Sequence, residues 1–421
     1  MSTPVYNAHQ QVFSLSLISN IVREIKGTQD EIQSVIEKNL PDALRQLPGW
    51  EVAWGPVVWK HRYHRYNNTT GPDHVFFVAR HPNLALSKGD EKETYVFAVA
   101  GSVTRYNWVV NNARVDTVVD FHEWLKQGIT TPPRPVISPD PDPKNVHCYI
   151  SLGTALGVHR LCTVTPPSSA VKPGVELPSY WAGFPESPNT RVIITGHSLG
   201  AALASTLALG LLESRAFSKF SPSNILVYPT AGPAIGNLEF AKLFCNRFPK
   251  IPGPGYQVWN CMLVNLRDPV SQAWCTSAKV SPKQNLNNIP FLYGDPIPEI
   301  VLGVKMGRIL ANYSSIIYTP IQAVWFEGAP PASPPTTRKQ FLDIVWEQHS
   351  EEFLKLLEVK SAQVQVLSGE KMGLQTMSTM EITCCEPVIA ELLVQTETQQ
   401  DEGDVSGDYE HVQALSGGLA D

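Results

Sequence analysis

Arg191-Val-Ile-Ile-Thr-Gly-His-Ser-Leu-Gly-Ala-Ala-Leu-Ala204 is the stretch on which the reading of the whole chain turns. The apolar run Val192–Thr195 predicts a buried strand. Gly196 and Gly200 bracket His197-Ser198-Leu199, and small residues follow, which predicts a sharp turn into a helix packed closely on the sheet. Gly-x-Ser-x-Gly in that setting has the form of a nucleophile elbow. In such an elbow a serine sits on a strained strand-to-helix turn, and the glycines let neighbouring backbones pass closely. The hydroxyl then projects at the carboxyl end of the sheet, beside a helix N-terminus that favours negative charge. The plainer reading is a glycine-rich turn whose serine only caps a helix. What separates the two is the use made of the hydroxyl and the presence of partners elsewhere in the chain.

Composition bounds the rest. The 421 residues, 43% hydrophobic and 17% charged, are those of a globular chain with a real core. Net charge is −6 but uneven: from Ser361 onward eleven acids face Lys371 alone. That acidic, Gly-rich tail, 361–421, is expected to be partly disordered. No basic stripe points to nucleic acid, and no run of about 18 apolar residues predicts a transmembrane segment. The start of the chain lacks a basic region followed by an apolar core, so a signal peptide is not expected. The seven cysteines are scattered and lack metal-ligand spacing. Together these predict a cytoplasmic protein with reduced thiols and no cofactor. Export by a route without such a signal is the alternative, and only then would the sequons at Asn67, Asn68 and Asn312 matter.

Taken in order, residues 8–47 predict two packing helices, the second opened by the capping box Thr28-Gln-Asp-Glu31. Val57-Val58-Trp59, Val75–Ala79 and Tyr95–Ala100 predict strands. His61 and His64 stand three apart, but with no carboxylate or cysteine beside them they predict a solvated strand end rather than a metal site. Phe121–Gly128 and His147–Cys162 read as helices. After residue 190 strand and helix alternate: Asn224–Tyr228 is a strand, a helix runs through Phe240 and Phe244, and Tyr256–Leu266 is the next strand. That alternation argues for an α/β architecture with a mostly parallel sheet. Residues 280–330 read as an insertion forming a cap or acyl pocket, and Gln340–Val359 as one helix. The expected organisation is an N-terminal helical segment 1–48, a core domain 49–360 and the tail.

A serine nucleophile needs a base for its proton, and the base needs a carboxylate to set its tautomer. Only His349 and His411 follow Ser198, and His411 lies in the acidic tail, so His349 is the candidate base. Glu213, Glu239, Asp268, Asp295, Glu299, Glu327 and Asp343 are possible acids between Ser198 and His349. Asp268 alone follows directly on a predicted strand, with Pro269 stopping its continuation, where α/β active sites gather. Leu199 and Ser102 are the candidate oxyanion donors, because Gly101-Ser102 ends another strand and Leu199 follows the serine. Trp108, Phe291 and Leu292 are candidates for a lid or acyl pocket.

At these residues the chain resembles the lipase class 3 family, the fungal-type triacylglycerol lipases. Gly196–Ala204 is similar to that family's elbow, and Tyr228-Pro-Thr-Ala-Gly-Pro-Ala-Ile-Gly-Asn237 with Phe240-Ala241 to its second glycine block. Asn265-Leu-Arg-Asp-Pro-Val270 is similar to its acid block, Gln348-His349 to its histidine block, and Ala100-Gly-Ser-Val-Thr104 with Asn107-Trp108 to its oxyanion strand and lid helix. The resemblance spans roughly residues 50–358 and implies the α/β-hydrolase fold. Two positions and one spacing depart from it. Ala100 stands for an arginine, Ser271 for a proline, and the interval from Asp268 to His349 is long.

The expected activity is hydrolysis of carboxylic esters, acylglycerol-type lipids among them, through Ser198, His349 and Asp268, with transient contact with a lipid surface. A short-chain esterase or thioesterase, or a catalytically silent interaction module, are the alternatives.

Overall fold

The computed structural model describes residues 6–62, 65–101, 114–136, 139 and 146–359. The N-terminal helices α1 (Ala8–Ile18) and α2 (Gln29–Arg45) each start on a capping box, Asn7 with Gln10 and Thr28 with Glu31. In each the cap side chain takes one orphan helical N–H and the third residue returns the bond. Pro41 lies inside α2, in its last turns.

Strands β1 (Glu51–Trp59), β2 (His74–Ala85) and β3 (Glu91–Val99) follow as an antiparallel meander. A small second sheet pairs β4 (Val118–Asp120) with β5 (Tyr149–Ser151), and α3 (Phe121–Gln127) lies between them. Helix α4 (Leu152–Thr163) therefore starts later than the sequence predicts. Tyr149 and Ile150 pair as strand, and the Ser151 hydroxyl caps the helix by accepting the Thr154 N–H. Helix α5 (Leu177–Ala182) leads to β6 (Arg191–His197) and α6 (Leu199–Glu213).

The chain continues through β7 (Ile225–Thr230), α7 (Leu238–Arg247), β8 (Met262–Asn265) and the one-turn α8 (Pro269–Gln272). It closes with α9 (Pro298–Tyr313), β9 (Ala323–Phe326), α10 (Arg338–Trp346) and α11 (Glu352–Leu357). Strand β8 is shorter than the apolar run 256–266 predicts. Asn260 takes a left-handed conformation (φ 65°) and replaces a ladder rung with its own side chain, accepting the Val227 N–H at 2.9 Å.

The main sheet has the order β1-β2-β3-β6-β7-β8-β9, and every pairing from β3 to β9 is parallel. Both faces are covered, so β6 reads as a continuous apolar run. Val192 and Ile194 point into a core built with α4 to α7. Ile193 points the other way, into a core built with α1, α2 and α11. A third cluster joins Trp274, Tyr293, Ile297, Ile300, Tyr318 and Phe341 with Ala234. It lies just beyond the carboxyl ends of β7 and β8. The segment 280–330 thus supplies two things, an apolar layer at that end and strand β9 at the sheet edge.

Candidate active site

Ser198 stands between β6 and α6 with φ 61° and ψ −129°, a conformation non-glycine residues adopt only under constraint. The constraint is local crowding. A Cβ on Gly196 would come within 2.2 Å of the Gly200 carbonyl oxygen, and one on Gly200 within 2.5 Å of the Val99 oxygen. Only glycine lets strand β6, helix α6 and the end of β3 approach so closely. Ser198 occupies the cap position of α6, yet its side chain makes no cap hydrogen bond. The plainer reading, a serine that caps the helix, does not hold. Leu199 is the first helical residue, where amides have no intrahelical acceptor.

Asp268 follows β8 and is fully buried. Its Oδ1 accepts the Val270 N–H at 2.9 Å, which caps α8. Its Oδ2 accepts the Ser271 hydroxyl at 2.9 Å and faces His349 Nδ1 at 2.8 Å. A carboxylate only accepts, so the His349 proton sits on Nδ1 and the basic lone pair on Nε2. His349 is buried and lies in a π-turn, Glu347–Glu351, inserted between α10 and α11. The single helix expected over 340–359 is therefore interrupted at its histidine, as single-turn π-bulges often are at functional sites. The ring of His197, beside Ser198, lies 4.8 Å from that of His349 between centroids. Asp268 and His349 thus meet at the carboxyl end of the sheet, beside His197, the chain neighbour of Ser198.

Ser102 and Trp108 lie outside the described residues, as does His64. Gly101, just before Ser102, is described and sits against the elbow. A Cβ there would meet Ser198 Cβ at 3.3 Å and the His197 oxygen at 3.1 Å. Its N–H donates to Asn20 Oδ1 at 3.3 Å, so the turn after α1 also touches this strand end. Phe291 is 65% exposed and so is no buried pocket wall. Leu292 is half-buried, and its carbonyl lies 3.5 Å from Arg267 Nη1, next to Asp268.

Ser271 is the residue that sequence reasoning passed over. In the sequence it registered only as a departure from a proline, although a hydroxyl three residues after a capping Asp is a visible signal. Among the described residues no group of three His, Cys, Asp or Glu side chains is placed to hold a metal ion, and no helix is long and apolar enough to cross a membrane.

The sheet order, the strained serine at a strand–helix turn and the buried Asp–His pair define the class: an α/β-hydrolase. Residues 180–276, which carry the elbow and Asp268, match the family model lipase (class 3). Among solved structures the chain is similar to M37 lipase at 22% identity, with a TM-score of 0.60 over 86% of this chain and 97% of that one. It also aligns with Rhizomucor miehei lipase in its propeptide complex at 17% identity, with a TM-score of 0.35 over 66% of this chain and 69% of that one. No curated protein sequence matches it.

Proposed function

We propose that this protein hydrolyses carboxylic esters of lipids by a Ser198–His349–Asp268 triad. The observation that carries the reading is the pairing of a strained, uncapped Ser198 with the buried 2.8 Å contact between Asp268 and His349. Ser198 Oγ attacks the ester carbonyl carbon while His349 Nε2 takes its proton. The oxyanion faces the Leu199 N–H at the start of α6. Collapse expels the alcohol, which leaves with the proton from His349, and an acyl-enzyme remains. Water, deprotonated by the same Nε2, then releases the acid. Asp268 stays a carboxylate throughout and orients the imidazolium.

The lipid class is supported by the family match and by the surface of the insertion. Helix α9 buries Ile300 with the small residues Gly303, Gly307 and Ala311, and exposes Leu302, Ile309 and Tyr313. Lys305 and Arg308 are exposed along one flank of that stripe. A face of this kind suits contact with an anionic lipid surface, and it lies on the layer at the sheet's carboxyl end.

Incubation with a fluorophosphonate probe tests the chemistry. Labelling of the wild type but not of Ser198→Ala is expected, and folded wild type that stays unlabelled overturns the reading. Hydrolysis of p-nitrophenyl esters of rising chain length tests the class, because a maximum at two to four carbons would make the protein a short-chain esterase. Leu302→Asp with Ile309→Asp is expected to weaken sedimentation with phosphatidylglycerol vesicles while leaving turnover of a soluble ester unchanged.

A further inference from the structure

Asp268 holds the ring of His349, but two other side chains hold its backbone. An α-helix sends each N–H to the carbonyl four residues back. In the π-turn the Glu352 N–H goes to the Glu347 oxygen instead. The Gln348 carbonyl, buried directly before His349, thereby loses its helical donor. Asn265 Nδ2 takes that place, donating to the Gln348 carbonyl at 2.8 Å and to Gln348 Oε1 at 2.9 Å. Asn265 Oδ1 accepts the Arg267 N–H at 3.0 Å and the Gly328 N–H at 2.9 Å. Both protons and both lone pairs of one fully buried amide are used. Asn265 ends β8, and Arg267 immediately precedes Asp268. One side chain therefore spans the turn of the acid and the turn of the base.

The second hold comes from the strand that carries the serine. His197 Nε2 lies 2.9 Å from the His349 carbonyl oxygen and Nδ1 lies 2.8 Å from Thr230 Oγ1. A carbonyl only accepts, so the His197 proton is on Nε2, and Nδ1 accepts the threonine hydroxyl. Burial, and then the neighbouring His349, holds the His197 imidazole well below its ordinary pKa. It stays neutral and keeps this tautomer while His349 gains and loses its proton.

We propose that Asn265 and His197 are positioning residues for His349, fixing the base through consecutive backbone carbonyls from the two strands that carry the acid and the nucleophile. The proposal rests on His349 acting as the base. It adds that the place of the imidazole is set by β6 and β8 as well as by the bond to Asp268. The opposing view is that two buried polar groups merely satisfy nearby carbonyls.

Asn265→Leu and His197→Leu remove the donors at similar volume, and His197→Gln keeps a side-chain N–H. On a soluble p-nitrophenyl ester each Leu variant is expected to lose about 10–10²-fold in kcat with KM unchanged, as for a misplaced catalytic group. His197→Gln should recover part of that loss. In a His349→Ala background the same changes should leave the residual rate within about twofold, since groups that act as a unit are not additive. An equal loss with and without His349, a loss confined to KM, or full kcat in the folded Leu variants overturns the proposal.

A measurement independent of turnover covers variants that fold poorly and a wild type that hydrolyses no ester. The downfield proton resonance of His349 Nδ1–H, assigned by its absence in His349→Ala, should shift or broaden in His197→Gln and in Asn265→Ser. An unchanged resonance in both also overturns the proposal, whatever becomes of the proposed reaction.

Discussion

Ser271 and His349 share one acceptor: the serine hydroxyl lies 2.9 Å, and the imidazole Nδ1 2.8 Å, from the same oxygen of Asp268. The other oxygen of that carboxylate takes a backbone N–H. The acid is therefore locked from three sides in a fully buried place. Removing one neutral donor leaves two, so Ser271→Ala is expected to lower kcat by no more than about tenfold, or about 1.4 kcal/mol, just below the low end for one hydrogen bond to a charged group. Asp268→Asn, which reverses the preferred tautomer of His349, should cost on the order of 10⁴. Steady-state kinetics on a soluble ester compare the two, and equal losses would contradict this division of labour.

The elbow stores strain that glycine would relieve. With φ 61° at Ser198, the L side chain costs about 1–3 kcal/mol, against about 0.5–1 kcal/mol of extra chain entropy lost by a glycine. Ser198→Gly should therefore match or exceed the wild type in thermal midpoint while losing all turnover, and Ser198→Ala should show no such gain. A calorimetric scan of the three proteins decides it.

Gly200 has no such latitude. A Cβ there would meet the backbone oxygens of Val99 and Ala100 at 2.5 and 2.8 Å, so Gly200→Ala must push α6 away from the end of β3. A loss of about 3 kcal/mol or more is expected, at the upper end for overpacking. Gly89, where a Cβ meets nothing within 4 Å and only φ is unfavourable, should cost about 1 kcal/mol. Chemical denaturation of the two alanine variants separates crowding from conformation.

Stability should fall on the acid side of neutrality. Burial is the first cause holding the His9 imidazole down to about 3 and that of His74 to about 4, from an ordinary 6.5. Unfolded chains take up those protons near pH 6.5, and the folded protein does not until about pH 4 or below. Between those limits the unfolded state binds more protons, so stability decreases as pH drops. Each group contributes up to about 1.4 kcal/mol per pH unit. Thermal midpoints from pH 7.5 to 5 should show the decline. His9→Phe, which keeps a ring on Trp259 (centroids 4.0 Å apart for the histidine), should make it shallower. An unchanged slope would rule out His9 as a contributor.

Some of this was legible from local pattern. A strand followed by Gly-x-Ser-x-Gly and small residues describes a sharp, crowded turn, because only glycines fit where backbones nearly touch. Asp268 showed itself by ending an apolar run before a proline. His349 emerged by elimination, since the other histidine after Ser198, His411, stands in an acidic stretch poor in apolar residues. The strand–helix alternation past residue 190 announced the parallel sheet.

Other features were silent for a physical reason. Tyr149-Ile150 reads as the first turn of a helix until β4 pairs with it. The run through Asn260 reads as strand until its side chain replaces a rung on Val227. Helical periodicity over 340–359 is nearly the same whether one turn is α or π, and the π-turn holds its shape because Asn265, far away in sequence, supplies the donor its shifted bonding gives up. The candidate nucleophile, acid and base could be named from the chain alone. That Ser271 braces Asp268, that His197 binds the His349 carbonyl and that Asn265 binds the Gln348 carbonyl before it depended on hydrogen bonds between distant segments, which no local pattern encodes and only the packed sheet brings within 3 Å.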